Sequence, residues 1–92
     1  MAQIRVQLEI SGRVQGVCYR YFTQQSAQAA GINGWVKNRI NGNVSALLEG
    51  DEHAVASVIE LCRQGPQLAH VDHIEIVQQT HTGEFIDFNI LR

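Results

Sequence analysis

The sequence predicts an α+β domain in which two helices pack on one face of an antiparallel sheet. Three observations carry this prediction: apolar residues alternate along an opening strand, a hairpin signal lies near mid-chain, and two helical patterns separate strand-like runs. The chain has 92 residues, a length that fits one small domain with one hydrophobic core. We therefore expect a single domain over residues 1–92, with room for one site.

The first strand and the first helix are predicted from the spacing of apolar residues. Apolar and polar side chains alternate strictly over residues 3–11, which is typical of a strand with one buried face. The next run, from Tyr19 or Arg20 to Ala30, shows helical spacing, and Gly31 follows as a stop signal. The stripe expected on this helix comprises Tyr19, Phe22, Ser26, Ala29 and Ala30.

The middle of the chain predicts a hairpin and a second helix. Strand-like runs over residues 34–38 and 43–49 flank Asn41-Gly42, which is typical of a type I′ turn, and a turn explains this dipeptide fully. Asp51 suits the N-cap of the second helix, and Gly65-Pro66 suits its end. The buried stripe expected on this helix comprises Val55, Val58, Ile59 and Cys62.

Two further strands, around residues 71–77 and 85–91, are predicted to close the chain, with Thr82-Gly83 in the turn between them. The resulting order is βαββαβ with an extra C-terminal strand. Two split βαβ units of this kind form the ferredoxin-like arrangement, in which both helices cover one face of the sheet. The hairpin then places the third strand beside the second, while the sheet edge that takes the last strand stays open.

Composition and charge limit the kinds of partner. The chain is 45% hydrophobic and 17% charged, which is typical of an ordinary globular protein. Residues 1–42 carry five basic side chains against Glu9 alone, whereas residues 43–92 carry two basic against eight acidic side chains. An anionic ligand is therefore expected in the first half. We expect a small ligand, because the sequence lacks the broad basic surface that nucleic acid needs.

Features that the sequence lacks argue against other classes of protein. No apolar run approaches the length of a membrane span, and the N-terminus has no apolar stretch like that of a signal peptide. Cys18 and Cys62 are too few for a disulfide framework or a zinc ribbon, and the four histidines show no helical pair at metal-ligand spacing, since His70 and His73 lie around the start of a predicted strand. We therefore expect a cytoplasmic protein without metal, cofactor or membrane partner, and a monomer by default.

The loop after the first strand has the features of an oxyanion site. Residues 12–20 read Gly-Arg-Val-Gln-Gly-Val-Cys-Tyr-Arg, so two glycines precede an arginine at the start of a helix. Glycine lets successive backbone N–H groups turn inward, a helix N-terminus adds partial positive charge, and a guanidinium binds oxyanions as a fork. An isolated glycine pair would more often serve a turn. Arg20, however, opposes the dipole of its helix, so a nearby anion would favour its position.

A second stretch makes the interpretation more specific. Residues 34–50 read Gly-Trp-Val-Lys-Asn-Arg-Ile-Asn-Gly-Asn-Val-Ser-Ala-Leu-Leu-Glu-Gly. Together with residues 12–20 they resemble the two signature motifs of the acylphosphatase family, and the resemblance covers nearly the whole chain in length and element order. It implies an enzyme that cleaves the carboxyl–phosphate bond of acyl phosphates, giving a carboxylate and inorganic phosphate without a metal.

The resemblance also implies roles for individual residues. Arg20 would bind the phosphate, and Asn38 would position the attacking water. The backbone N–H groups that would hold the phosphate, or a sulfate in its place, lie around Gln15, Gly16, Val17 and Cys18. A carboxylate leaves without a proton donor because its acid has a pKa of about 4. Such a site would therefore need positioning and charge stabilisation more than acid catalysis.

Three alternatives compete with this interpretation. RNA-recognition domains share the element order, but the third strand here has neither the basic nor the aromatic residues that they use. A Walker-type nucleotide loop fails because no Gly-Lys-Ser/Thr follows Gly16. A catalytically silent accessory or small-anion-binding module of the same family is the remaining alternative. We prefer a freestanding enzyme, since no fused partner is present and both Arg20 and Asn38 are retained.

Overall fold

The computed structural model describes residues 2–91 as a five-stranded sheet with two helices. Met1 and Arg92, which the predicted domain 1–92 includes, lie outside the described residues. The elements in chain order are β1 Gln3–Arg13, α1 Tyr19–Ala29, β2 Asn33–Asn38, β3 Val44–Asp51, α2 Glu52–Gln64, β4 His70–Gln79 and β5 Phe88–Leu91.

The alternating apolar residues of β1 lie at the centre of the hydrophobic core. Val6, Leu8 and Ile10 are buried on the face that both helices cover, and Ile4 is half-buried there. Each such aliphatic side chain contributes about 1.5–3 kcal/mol when fully buried. β1 pairs antiparallel with β3 on one side and with β4 on the other. The prediction of a strand with one buried face is confirmed.

The order of strands in the sheet is β4-β1-β3-β2-β5. The first four strands give the ferredoxin-like arrangement with both helices contributing to one core, as predicted. The predicted antiparallel pairing is present in β1 to β4, while the extra C-terminal strand, β5, pairs parallel with β2, so the sheet as a whole is mixed. The last strand therefore lies at the β2 edge, where it places Ile90 beside Val36.

The prediction of a turn at Thr82-Gly83 that joins the last two strands directly is wrong. β4 and β5 lie at opposite edges of the sheet, so residues 80–87, here called the crossover segment, pass from one edge to the other. Gly83 and Thr82 bind the side chain of Glu49 on β3, which holds the segment against the sheet face away from the helices. The last strand consequently begins at Phe88, later than predicted.

The two helices differ in how well their buried faces were predicted. In α2, Asp51 caps the N-terminus by accepting from the backbone N–H groups of His53 and Ala54, and Gly65 follows the last helical residue. Its predicted stripe is confirmed, with Val55, Val58 and Cys62 buried and Ile59 half-buried. Within residues 2–91, neither helix is long and apolar enough to cross a lipid bilayer.

The predicted stripe of α1 is only partly confirmed: Tyr19 is buried, and Phe22, Ser26 and Ala30 are half-buried. The buried residues are Tyr19, Thr23 and Ala27, whereas Ala29 is exposed. Thr23 can lie in the core because its hydroxyl donates to the backbone oxygen of Tyr19 at 3.0 Å, which satisfies the polar group. Hydrophobicity alone therefore identified the inward face only in part.

The β2–β3 hairpin has a different turn from the one predicted. A type I′ turn needs positive φ at both central residues, but Asn41 does not have it; Gly42 does, with φ 94°. Arg39 N–H donates to Asn43 O at 2.8 Å, and Gly42 N–H donates to Arg39 O at 3.2 Å. These bonds enclose a three-residue loop with Gly42 at its left-handed position, a common alternative hairpin geometry. Residues 39–43 are called the hairpin loop below.

Candidate active site

The β1–α1 loop, residues 14–18, and the end of β2 lie side by side. A pocket of about 370 Å³ forms between them, and Gly16, Cys18, Arg20 and Asn38 all line it. The other lining residues are Val14, Tyr19, Tyr21 and Ile90. The structure thus brings together four of the predicted site residues, while Gln15 and Val17 lie in the loop without lining the pocket.

The backbone of the β1–α1 loop is shaped to present N–H groups. Gly16 has φ 73° and Cys18 has φ 63°, so both adopt the left-handed conformation that makes concave runs of N–H groups. Among residues 2–91, the N–H groups of residues 15–18 find no protein acceptor. The N-terminus of α1 follows directly at Tyr19 and adds its own unpaired donors. The loop therefore offers a cluster of donors to an anion.

The two glycines of the first motif have different structural roles. A Cβ atom added to Gly12 would lie 2.2 Å from the backbone oxygen of His70, so Gly12 allows β1 and β4 to approach at a bulge. A Cβ atom added to Gly16 would meet nothing within 4 Å, and Gly16 is needed only for its positive φ. Gly12 therefore serves the pairing of β1 with β4, and of the two glycines it is Gly16 that lines the pocket.

Arg20 lies in the first turn of α1 and lines the pocket. No acidic side chain lies in that turn, and among residues 2–91 Arg20 has no ion-pair partner. A cation near a helix N-terminus is repelled by the helix dipole. An anion in the pocket would relieve this repulsion and gain a forked donor.

Asn38 is the last residue of β2, where it pairs with Val44 of β3. Its side-chain oxygen Oδ1 is buried and accepts no hydrogen bond from any described residue. Most buried polar atoms have a partner, so this oxygen is an exception at a pocket-lining residue. The alternative that Asn38 merely fixes the turn is not supported, because among the described residues the polar side chains bonded to the hairpin loop are those of Gln15, Asn41 and Glu9.

The charge count along the sequence included Arg5 among the cations available to an anionic ligand, and this is wrong. Its guanidinium lies on the sheet face away from the helices, 2.7 Å from Glu84 and 3.5 Å from Glu49. Glu49 is only 3% exposed, and burial alone would raise its pKa. The hydrogen bonds that it accepts from Thr82 and Gly83 outweigh burial, so the pKa of Glu49 is lowered. Arg5 is thus committed to a structural cluster and does not belong to the pocket.

Three contributions to the pocket and its surroundings were missed by reasoning from sequence. Ile90 reaches the pocket only because β5 pairs with β2, which no local pattern predicts. Tyr19 lines the pocket, although its hydroxyl donates to the backbone oxygen of Cys62 at 2.6 Å and burial raises its pKa. The third is the side chain of Gln15, which binds the hairpin loop.

The two cysteines lie in different surroundings, one in the core and one in the β1–α1 loop. Cys62 lies fully buried in the core, as predicted, and burial raises the pKa of its thiol. Cys18 is exposed in the β1–α1 loop. Within residues 2–91, no group of three or more His, Cys, Asp and Glu side chains is arranged to hold a metal ion.

Comparison with known proteins identifies the fold and the family together. The family model for acylphosphatases matches residues 6–90. An acylphosphatase of Geotalea uraniireducens is 47% identical over 88 residues, covering 96% of this chain and 97% of that protein.

Solved structures agree with this result. The crystal structure of acylphosphatase from Bacillus subtilis superposes with a TM-score of 0.94 and 35% identity, covering 97% of this chain and 99% of that one. Full-length HypF in its phosphate- and nucleotide-bound form contains a similar segment, with a TM-score of 0.87 and 26% identity. That match covers 99% of this chain but 12% of the HypF chain. This chain belongs to the acylphosphatase family.

Proposed function

We propose that this acyl phosphate hydrolase holds the phosphoryl group of its substrate with the β1–α1 loop and Arg20, while Asn38 positions the attacking water. The observation that carries the proposal is the cluster of N–H groups at residues 15–18, which have no acceptor among residues 2–91 and lie beside Arg20, a side chain with no ion-pair partner in the same range. These donors suit the three oxygens of a phosphoryl group, and together they supply positive potential without a metal ion.

The reaction requires little beyond this placement. Water attacks phosphorus in line with the acyl oxygen, the P–O bond to that oxygen breaks, and its electron pair leaves on the carboxylate. A proton of the attacking water passes to solvent or to the phosphate product. The carboxylate needs no proton donor because its acid has a pKa of about 4. Arg20 and the loop N–H groups stabilise charge on the equatorial oxygens of a loose transition state.

The role proposed for Asn38 is supported by its unsatisfied oxygen. A buried amide oxygen without a donor costs about 1–3 kcal/mol. A small rotation of the amide that opens Oδ1 to the pocket would let a water donate to it, which would remove this cost and orient that water. Asn38 lines the same pocket as Gly16 and Arg20, so such a water would lie beside the phosphoryl group.

We further propose that the chain works as a cytoplasmic monomer, on small acyl phosphates, with phosphate or sulfate as competing anions. The supports are the ordinary globular composition, typical of one small domain, and a pocket of about 370 Å³, a size that suits a small ligand. Sedimentation analysis should give a mass near 10.3 kDa. A mass of twice that value at micromolar concentration would contradict the monomer.

One observation favours a second candidate function. A segment of HypF shares this fold as a small part of a much longer chain, so an accessory role in a larger protein is the alternative. An accessory module of this kind would bind phosphate through the β1–α1 loop without hydrolysing an acyl phosphate. Both functions predict binding, and turnover separates them.

The experiment that tests the proposal is hydrolysis of benzoyl phosphate by the purified chain in the presence of EDTA. We expect turnover that EDTA does not reduce and that inorganic phosphate inhibits competitively. Phosphate binding without turnover would favour the accessory module. Activity that disappears with EDTA and returns with a divalent cation would contradict the mechanism.

A further inference from the structure

The side chain of Gln15 connects the two halves of the candidate active site. Its Nε2 donates to the backbone oxygen of Arg39 at 2.7 Å and to that of Asn43 at 2.8 Å. Both partners are acceptors only, so the nitrogen end of the amide must face them, and both of its hydrogens are used. Gln15 itself belongs to the β1–α1 loop, whereas Arg39 directly follows Asn38.

The two carbonyl groups that Gln15 binds close the base of the hairpin loop. Asn43 O also accepts from Arg39 N–H, and Arg39 O also accepts from Gly42 N–H. The side chain of Asn43 in turn donates to Glu9 of β1 at 2.8 Å. Gln15 therefore binds a part of the hairpin that is already held by its own backbone and by β1.

Within the described residues, these two bonds are the only hydrogen bonds between the β1–α1 loop and the hairpin loop. The N–H groups of residues 15–18 make no hydrogen bond to any residue of the range 2–91 that would fix the β1–α1 loop in another way. Val14 and Val17 pack on the core, and the relative position of the phosphate donors and Asn38 depends in addition on this one side-chain amide. A misplacement of about 1 Å between reacting groups can reduce a rate about 10²-fold.

We propose that Gln15 is a positioning residue for the hydrolysis, which sets the distance between the phosphate donors and Asn38 through its side chain. The inference rests on the proposed function, and it is distinct from the binding of phosphate by the backbone N–H group of the same residue. It predicts that loss of the side-chain amide slows turnover while phosphate still binds.

The first test replaces Gln15 by methionine, which keeps the length of the side chain and removes its donors. We expect kcat for benzoyl phosphate to fall about tenfold or more, with the inhibition constant of inorganic phosphate within about threefold of the wild-type value. Gln28→Met is the matched control, because Gln28 also donates to a backbone oxygen, that of Phe88, outside the pocket. Its kcat should stay within twofold.

The second test is Gln15→Glu, which places a carboxylate against two carbonyl oxygens. When that carboxyl group is protonated it regains one donor, so kcat relative to the wild type at the same pH should rise as the pH falls from 8 to 5. A purely structural role would lower thermal stability without producing this relative pH profile. The profile also decides the matter if the methionine variant does not fold.

The proposal is overturned if Gln15→Met keeps kcat within twofold of the wild type, if Gln15→Glu shows a flat relative profile, or if neither variant folds. Absence of hydrolysis by the wild-type chain would instead contradict the proposed function, so the two failures are distinguishable.

Discussion

Two places in this molecule collect backbone N–H groups beside an arginine, and they differ in what those groups bind. In the crossover segment, the N–H groups of Thr82 and Gly83 donate to Glu49, and Arg5 lies 3.5 Å from the same carboxylate. In the β1–α1 loop, the N–H groups of residues 15–18 and the guanidinium of Arg20 have no partner among the described residues.

The difference separates a structural anion site from the one that we propose to be functional. The crossover segment uses an anion that the chain supplies itself, and the result is a fixed contact across the sheet face. In our proposal, the β1–α1 loop uses similar chemistry that a ligand completes. An arginine beside glycine and N–H groups is therefore informative about function only when its charge is not already neutralised within the protein.

The largest effect expected from this comparison is a contrast between Arg20→Ala and Arg5→Ala. Loss of Arg20 removes a donor to the phosphoryl group, so kcat/KM for benzoyl phosphate should fall about 10²–10³-fold, with weaker inhibition by phosphate. Loss of Arg5 leaves Glu49 buried without its cation, so the free energy of unfolding should fall by about 2 kcal/mol while kcat stays near wild type. Equal losses of turnover in the two variants would contradict the proposed difference in role between Arg20 and Arg5.

The next effect concerns the half of the site carried by β2. Asn38→Ala should lower kcat about 10²-fold, because the attacking water loses its orientation, while the inhibition constant of phosphate should hardly change. Asn89→Ala is the control, since Asn89 is exposed on β5 and bonds only to Asp87 among the described side chains. Steady-state kinetics with phosphate as inhibitor measures both. A variant that loses phosphate binding as well would assign Asn38 to the phosphate instead of the water.

Glu49 provides the matching test on the structural side. Glu49→Gln should lower the free energy of unfolding by about 2 kcal/mol, because charged hydrogen bonds to Thr82 and Gly83 are weakened. The lowered pKa of Glu49 means that the unfolded chain binds this proton more readily, so the stabilisation is present above about pH 4.5 and is lost as the pH falls further. Urea unfolding at pH 7 and at pH 3 measures it. A wild-type advantage over the glutamine variant that does not shrink at pH 3 would contradict the account.

The smallest effect is expected at Cys18. Its φ of 63° is unfavourable for a residue with a Cβ atom, so Cys18→Gly should relieve strain while increasing the freedom of the unfolded chain. We expect the free energy of unfolding to change by less than about 1 kcal/mol and kcat to stay within about threefold. A complete loss of activity would show that the thiol takes part in the reaction.

Local patterns predicted the elements that local physics controls. The alternation of β1, the cap at Asp51 and the stripe of α2 follow from side-chain spacing and hydrogen bonding within a few residues, and all three are present. The α1 face was only partly predicted because Thr23 satisfies its hydroxyl within the helix, a contact that hydrophobicity does not register. The turn at Gly42 was mispredicted because the length of the loop, and not the dipeptide alone, selects the turn type.

Long-range features lay beyond the sequence for a common reason. The parallel pairing of β5 with β2 and the path of the crossover segment depend on which edge of the sheet is free and on a carboxylate, Glu49, far away in sequence. The same limit applies to the site. The motifs predicted Arg20 and Asn38 as site residues. The ion pair of Arg5 with Glu49 and the bond from Gln15 to the hairpin loop could not be predicted, because they join residues far apart in sequence.

We propose that the β1–α1 loop, and not the crossover segment, binds the phosphoryl group. Titration of the ¹⁵N-labelled protein with inorganic phosphate tests it most directly, by following the backbone N–H resonances. We predict saturable shifts at Gln15, Gly16, Val17 and Cys18, with Thr82 and Gly83 unchanged because their donors are bound to Glu49. Shifts confined to Thr82 and Gly83, or no shift at the loop at phosphate concentrations that inhibit turnover, would contradict the account.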